Sequence, residues 1–175
     1  LWFFTMELVD GADFVTHVRR GAPPRSPPPD MELLRRAVGQ LTEGLAALHD
    51  AHKVHRDIKP SNVLVTRDER VVLLDFGVAL DLDDFDAPQE AGEVVGTAAY
   101  MAPEQVLGEA AGPEADVYSV GVILYEALTG VLPYEGTAMA VMQSKLVGLP
   151  APPGQLVPDT PPELDALTME LLAPE

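Results

Sequence analysis

Two carboxylates, a lysine and an amide are spaced along the middle of the chain in a way that suits phosphate chemistry. The string His55-Arg56-Asp57-Ile58-Lys59-Pro60-Ser61-Asn62 is followed by Asp75-Phe76-Gly77. Between them, residues 62–65 and 71–74 are apolar and β-branched, and the polar residues 66–70 separate them. That pattern predicts a β-hairpin. A hairpin folds its ends together, so Asn62 and Asp75 should lie close in space. Oxygen ligands at such a point suit Mg²⁺, which takes few carboxylates and completes its shell with phosphate or water oxygens. Asp57 could take a proton from an attacking hydroxyl, and Lys59 could neutralise a phosphoryl group in transfer. A lone Asp-Phe-Gly is often only a turn, and a lone His-Arg-Asp is usually surface. Their order and spacing together carry the signal.

The elements that must position these residues can be read from apolar spacing. Residues 1–7 are aromatic and β-branched enough for a strand, ending at Val9-Asp10-Gly11, and residues 13–20 suit a short helix. Residues 21–29 are a proline-rich break. Asp30 is placed to cap a helix in which Leu33, Leu34, Ala37, Val38, Leu41, Leu45 and Leu48 recur at helical spacing, to about Asp50. Residues 75–100 lack periodicity and read as a long loop. Pro113-Glu114 opens a second helix that runs to Thr129 and stops at Gly130; it is apolar on most sides, so it should be buried. Further helices are expected over residues 137–146 and 162–172, with prolines between them. The fold class expected is mainly α, or α+β overall, with a small β-hairpin.

Bulk properties narrow the function. The chain has 175 residues, 47% of them hydrophobic, enough for one sizeable core. A net charge of −17 repels phosphate backbones and anionic lipid, so nucleic acid is not an expected partner and basic partners are favoured. There are no cysteines, which excludes disulfides and thiolate metal sites within the chain. No apolar run approaches the ~20 residues that cross a bilayer, so no membrane segment is expected in it. Leu1 opens inside an apolar run and the chain stops just after another, so both ends read as cuts through a domain.

Taken together, these strings resemble the protein kinases. The family pattern is a catalytic H-R-D-L-x-x-x-N loop, then D-F-G, then A-P-E. Residues His55 to Asn62 match the first with Ile58 for Leu, Asp75-Phe76-Gly77 the second, and Ala102-Pro103-Glu104 the third. Gly96-Thr97-Ala98-Ala99-Tyr100-Met101 and Asp116-Val117-Tyr118-Ser119-Val120-Gly121 are also similar to protein kinases, in wording closest to bacterial kinases of the eukaryotic type. The resemblance covers essentially the whole chain. It implies a partial catalytic domain over residues 1–175: a hinge and a helical C-terminal lobe, with the N-terminal lobe mostly absent.

The resemblance also implies roles. Asp57 would accept or orient the proton of a substrate hydroxyl, and Lys59, at a place typical of Ser/Thr kinases, would sit on the γ-phosphate of ATP. Asn62 and Asp75 would hold Mg²⁺. Thr97 would reach toward Asp57 and Lys59, and Asp116 would brace the backbone of the His55-Arg56-Asp57 turn. His55 and Phe76, with Gly77 after them, would be packing and turn residues. Met6 would be the gatekeeper, Glu7 and Val9 would present backbone groups to adenine, Asp13 would reach the ribose, and Leu64 would floor the adenine.

Several parts of the pattern are not in the chain: a Gly-rich phosphate loop, the lysine on the following strand and its partner glutamate, and the downstream arginine that pairs with a residue placed as Glu104 is. Glu104 would then be a buried carboxylate without a partner, and the chain alone would transfer phosphate poorly or not at all. Arg56 marks kinases whose activation loop is ordered by a phosphate, yet residues 78–96 contain no Ser, Thr or Tyr. Gln89 and Ala91 stand where related kinases often carry threonines, so a carboxylate such as Glu90 or Glu93 could take the phosphate's place. The expected activity is ATP-dependent phosphorylation of protein Ser or Thr, possible on basic peptides, in the cytoplasm. The parent protein could carry sensor or anchor domains. The rival is a pseudokinase-type binding module, against which stands the presence of Asp57, Lys59, Asn62 and Asp75 together.

Overall fold

The computed structural model of the protein describes residues 7–74 and 98–173. Three short strands form one antiparallel sheet in the order β1 (Gly11–Asp13), β2 (Val63–Thr66), β3 (Val71–Leu73). Seven helices are seen among the described residues: α1 (Phe14–Arg19), α2 (Met31–Asp50), α3 (Pro103–Val106), α4 (Pro113–Thr129), α5 (Ala138–Val147), α6 (Pro153–Leu156) and α7 (Pro162–Leu171). This is the mainly helical, α+β architecture that the spacing predicts.

The expected hairpin is present, with Val63 opposite Leu73, Leu64 opposite Val72 and Val65 opposite Val71. A third strand that the sequence did not announce joins it. Glu7 is not in a strand, and β1 forms at Gly11–Asp13, pairing Gly11 with Thr66 and Asp13 with Leu64. Gly11 permits this pairing, because a Cβ there would lie 2.6 Å from the Val65 carbonyl oxygen. The rest of the strand expected over residues 1–7 lies outside the described residues.

α2 starts where the side chain of Asp30 accepts the backbone N–H groups of Glu32 and Leu33, at 3.0 and 3.2 Å. That satisfies two donors that have no partner inside the helix. Its stripe Leu33, Leu34, Ala37, Leu41 and Leu45 is buried, with Val38 packed against the same core. α4 is buried on nearly every side and packs against α1, α2, α6 and α7. Gly121 lets α7 approach it closely: a Cβ there would lie 2.8 Å from Leu171 Cβ. The C-terminal end of α4 is held by a buried cation from α1. The Arg19 guanidinium donates to the carbonyls of Ala127 and Leu128 at 2.9 and 3.2 Å, and to Pro23 O and Ser26 Oγ. A cation belongs at that end of the helix dipole, and its bonds satisfy terminal carbonyls.

The two faces of α2 differ in what they contribute. Leu34 is fully buried, whereas neighbouring Arg35 makes an exposed ion pair with Glu163 at 3.0 Å. Leu34→Ala is expected to cost about 2–5 kcal/mol through lost burial and a cavity. Arg35→Ala should cost no more than about 1 kcal/mol, because exposed pairs are weak. Urea unfolding midpoints of the two variants check this ranking.

Candidate active site

The residues His55, Arg56 and Asp57 sit on the irregular stretch between α2 and the hairpin. Their backbone is held by one carboxylate. Asp116, in the first turn of α4, is fully buried and accepts the N–H groups of His55 at 2.8 Å and Arg56 at 2.7 Å, one on each oxygen. His49, near the end of α2, donates from Nε2 to Asp116 Oδ2 at 2.8 Å. The negative charge also lies at the N-terminal end of α4, where the helix dipole favours it. Arg56 has φ of +66°, in the left-handed region that a side chain with Cβ disfavours. The bond from Arg56 N–H to Asp116 holds it there.

His55 is fully buried and serves packing and hydrogen bonding. Its Nε2 faces the Leu74 carbonyl at 2.9 Å, and its Nδ1 faces the N–H of Asp57 at 3.4 Å. A carbonyl can only accept and an amide N–H can only donate, so this network assigns the proton to Nε2. The imidazole thereby ties the active turn to the end of β3.

Asp57, Lys59 and Asn62 converge. Asn62 ends a 3₁₀ turn, Pro60–Asn62, that leads directly into β2. Its Nδ2 donates to the Asp57 carbonyl oxygen at 2.9 Å and to Asp57 Oδ2 at 2.8 Å. Lys59 Nζ lies 2.9 Å from the same Oδ2. The side chains of Asp57 and Lys59 are 28% and 24% exposed. Asn62 itself is buried, and its backbone carbonyl accepts the N–H of Leu74 at 2.9 Å, closing the hairpin.

The other expected positions divide. Leu64 is half-buried on β2 opposite Asp13. Asp13 caps α1, accepting the Thr16 N–H at 2.9 Å, so it has a local structural task that the sequence reading did not give it. Glu7 is exposed and pairs with Arg70 at 2.7 Å; Val9 is half-buried. Glu104 is half-buried rather than buried, on the short helix α3 whose four residues are all half-buried, and among the described residues no ion pair forms to it. Met6, Asp75, Phe76, Gly77, Thr97, Glu90 and Glu93 lie outside the described residues.

Three residues near the site were not singled out from the sequence. His49 supplies the third donor to Asp116. Gln105 bridges two segments: its Oε1 accepts the Ala102 N–H at 3.0 Å, and its Nε2 donates to the Arg56 carbonyl at 2.9 Å. Glu126, on α4, accepts the Tyr100 hydroxyl at 2.6 Å. Burial pushes both Tyr100 and Glu126 above their ordinary values, so the tyrosine stays protonated as the donor. Side-chain partners this far apart in sequence leave no periodic signal.

Comparison with known proteins gives the family of the chain. The family model described as the protein kinase domain matches residues 2–165. The chain belongs to the protein kinase family. Among relatives of this kinase-family chain, the serine/threonine-protein kinase PknB of Mycolicibacterium smegmatis is 35% identical over 98% of the chain and 27% of its own length. The serine/threonine-protein kinase PknA of Mycobacterium tuberculosis is 39% identical over 94% of the chain and 36% of its own length. The serine/threonine-protein kinase PknL of the same species is 38% identical over 94% and 40%. The chain thus spans well under half the length of these relatives. Among the described residues of the kinase-family chain, no helix is long and apolar enough to cross a membrane.

The Asp116 brace generates a stability test. Asp116→Asn keeps the shape but replaces one acceptor with an NH₂ facing an N–H donor. It is expected to destabilise by about 2–4 kcal/mol, since hydrogen bonds to a buried charge are lost and a donor is stranded. His49→Gln keeps a donor and should cost less than about 1.5 kcal/mol. Chemical denaturation of both variants measures the difference.

Proposed function

We propose that the protein carrying this chain transfers the γ-phosphoryl group of ATP to Ser or Thr hydroxyls of protein substrates. The observation that supports this best is the convergence of Lys59 Nζ and Asn62 Nδ2 on Oδ2 of a half-exposed Asp57. Kinship with serine/threonine-protein kinases supports the same reading.

In this reading the substrate hydroxyl oxygen attacks the γ-phosphorus, and its proton passes to the Asp57 carboxylate. The bond from the γ-phosphorus to the bridging oxygen breaks, and ADP leaves with that electron pair. Asn62 holds Asp57 in position through two hydrogen bonds, which matters because small misplacements of a reacting group are costly. Lys59 is close enough to Asp57 to carry its positive charge to the transferring phosphoryl oxygens. With Nδ2 committed to Asp57, the remaining amide oxygen of Asn62 is the atom suited to a hard cation, and we assign Mg²⁺ to Asn62 and Asp75. When bound, Mg²⁺ would neutralise charge on the bridging phosphates.

Adenine would lie against Leu64 beside the backbone of Glu7 and Val9 next to Met6. Asp13 would reach the ribose while keeping its bond to Thr16. A net charge of −17 favours basic peptides as substrates. The domain reading is a partial catalytic domain, comprising the hinge and C-terminal lobe.

In the full-length protein, Asp57→Asn is expected to lower phosphate incorporation into a basic Ser/Thr peptide by roughly 10²–10⁴-fold, the range for losing a positioned proton acceptor. Lys59→Met should cause a comparable loss. Asn62→Ala should raise the Mg²⁺ concentration needed for half-maximal rate. Radiolabelled ATP with phosphoamino-acid analysis reads the first two. Label on tyrosine alone, or wild-type rates in Asp57→Asn, would contradict the proposal.

A further inference from the structure

Residues 98–102 form neither a strand nor a long helix, so their backbone carbonyls lack a ladder to satisfy them. Such groups need partners when buried. Three successive carbonyls find them in side chains from two helices. Ser119 Oγ on α4 donates to the Tyr100 carbonyl at 2.8 Å. On either side of it, the carbonyls of Ala99 and Met101 both accept from Lys145 Nζ of α5, the first at 2.7 Å.

Lys145 is an unusual residue to find in this place. It is 3% exposed, and its Nζ stands 5.1 Å from the centre of the Tyr118 ring on α4. Lysines are rarely buried this fully without a carboxylate. Among the described residues no carboxylate pairs with it; two carbonyls and an aromatic face take that place. An amine with N–H donors fixed on alternate carbonyls defines the path of the chain between them more narrowly than apolar packing could. Burial draws its ammonium down to about 7, as expected where water is excluded. Hydrogen bonds in such surroundings are stronger than in water.

The same segment is tied to the catalytic turn at its other end. Gln105 joins the Ala102 N–H to the Arg56 carbonyl, one residue before Asp57. The segment is thus held at 99 and 101 by α5, at 100 by α4 and at 102, through Gln105, to the turn that carries Asp57.

We propose that Lys145 is a positioning residue for peptide substrate: by clamping the carbonyls of Ala99 and Met101 it sets the surface on which the peptide beside the phosphorylated hydroxyl docks. This rests on the kinase reading given above. Lys145 touches neither ATP nor the reacting atoms in this account. Its removal therefore weakens peptide docking while the chemistry of ATP is spared.

The test uses the full-length protein, a basic Ser/Thr peptide and two readouts. In Lys145→Met, the KM for peptide is expected to rise tenfold or more, while the KM for ATP and the slow hydrolysis of ATP without peptide stay within twofold of wild type. Backbone amides of residues 98–102 should exchange hydrogen at least tenfold faster, with those of α4 unchanged. Lys145→Cys should show the same defect. Treatment with 2-bromoethylamine, in which the thiolate displaces bromide to leave a thioether ending in an amine, should restore peptide KM; wild type treated alike is the control. Gln143→Ala, on the exposed side of α5, should behave as wild type.

An unchanged peptide KM in Lys145→Met overturns the proposal. So does loss of ATP hydrolysis in step with peptide phosphorylation, or failure of the restored amine to recover peptide KM, since a residue needed only for the fold would give those results. A wild-type protein that phosphorylates no Ser/Thr peptide would instead refute the kinase reading itself.

Discussion

The Asp116 carboxylate is the constraint around which the site is built. Placing a negative charge at zero exposure costs several kcal/mol unless donors surround it. Here the donors are two consecutive backbone amides and one imidazole nitrogen, at 2.7–2.8 Å. Charge-assisted bonds of this kind contribute about 1.5–3 kcal/mol each, enough together to offset the burial. What remains is geometry. The three donors come from the end of α2 and from the turn beyond it, so one side chain fixes where the chain leaves its longest helix. It also holds Arg56 in a conformation that a non-glycine residue seldom adopts.

From that anchor the other contacts follow outward. With Arg56 fixed, the Asp57 side chain projects toward Asn62 and Lys59. Asn62 belongs to the hairpin, and the hairpin is tied back to the turn by the His55 ring on the Leu74 carbonyl. Gln105 uses the Arg56 carbonyl as its acceptor and holds the Ala102 N–H, so residues 98–102 take their position from the same turn. A displacement at the start of α4 would therefore reach the hairpin and residues 98–102 together. The buried helix supplies rigidity: its far end is capped by Arg19, and its middle is closed against α7 at Gly121.

Much of this was legible in the residues. Asp30 ahead of a 3.6-residue apolar stripe predicted α2, and its carboxylate caps that helix. Pro113 and the apolar run after it predicted a buried α4, and the polar residues 66–70 predicted the hairpin turn. Asp116 as the brace of the His55-Arg56-Asp57 turn was implied by the family resemblance, and its carboxylate accepts the N–H groups of His55 and Arg56. The less legible features share a cause. β1 at Gly11–Asp13 depends on close approach to Val65, a tertiary fact that local residue types do not announce. Asp13 reads as a ligand-facing acid, yet its spacing to Thr16 also makes it a helix cap. Arg19, His49 and Lys145 each bond to partners 44 to 109 residues away, on backbone carbonyls or a single carboxylate. No periodicity marks such contacts, and charged types are ordinarily expected at the surface.

The central claim is that the Asp57, Lys59 and Asn62 cluster is built to receive the terminal phosphate of ATP with a divalent cation. A crystal structure of the full-length protein with Mn²⁺ and a non-hydrolysable ATP analogue tests it most directly, because Mn²⁺ is located by its own anomalous signal. The account predicts a Mn²⁺ peak in direct coordination with the amide oxygen of Asn62, about 2.0–2.3 Å away, with the γ-phosphate between it and Asp57. Nucleotide bound with the metal away from Asn62, or with its terminal phosphate turned from Asp57, would contradict it.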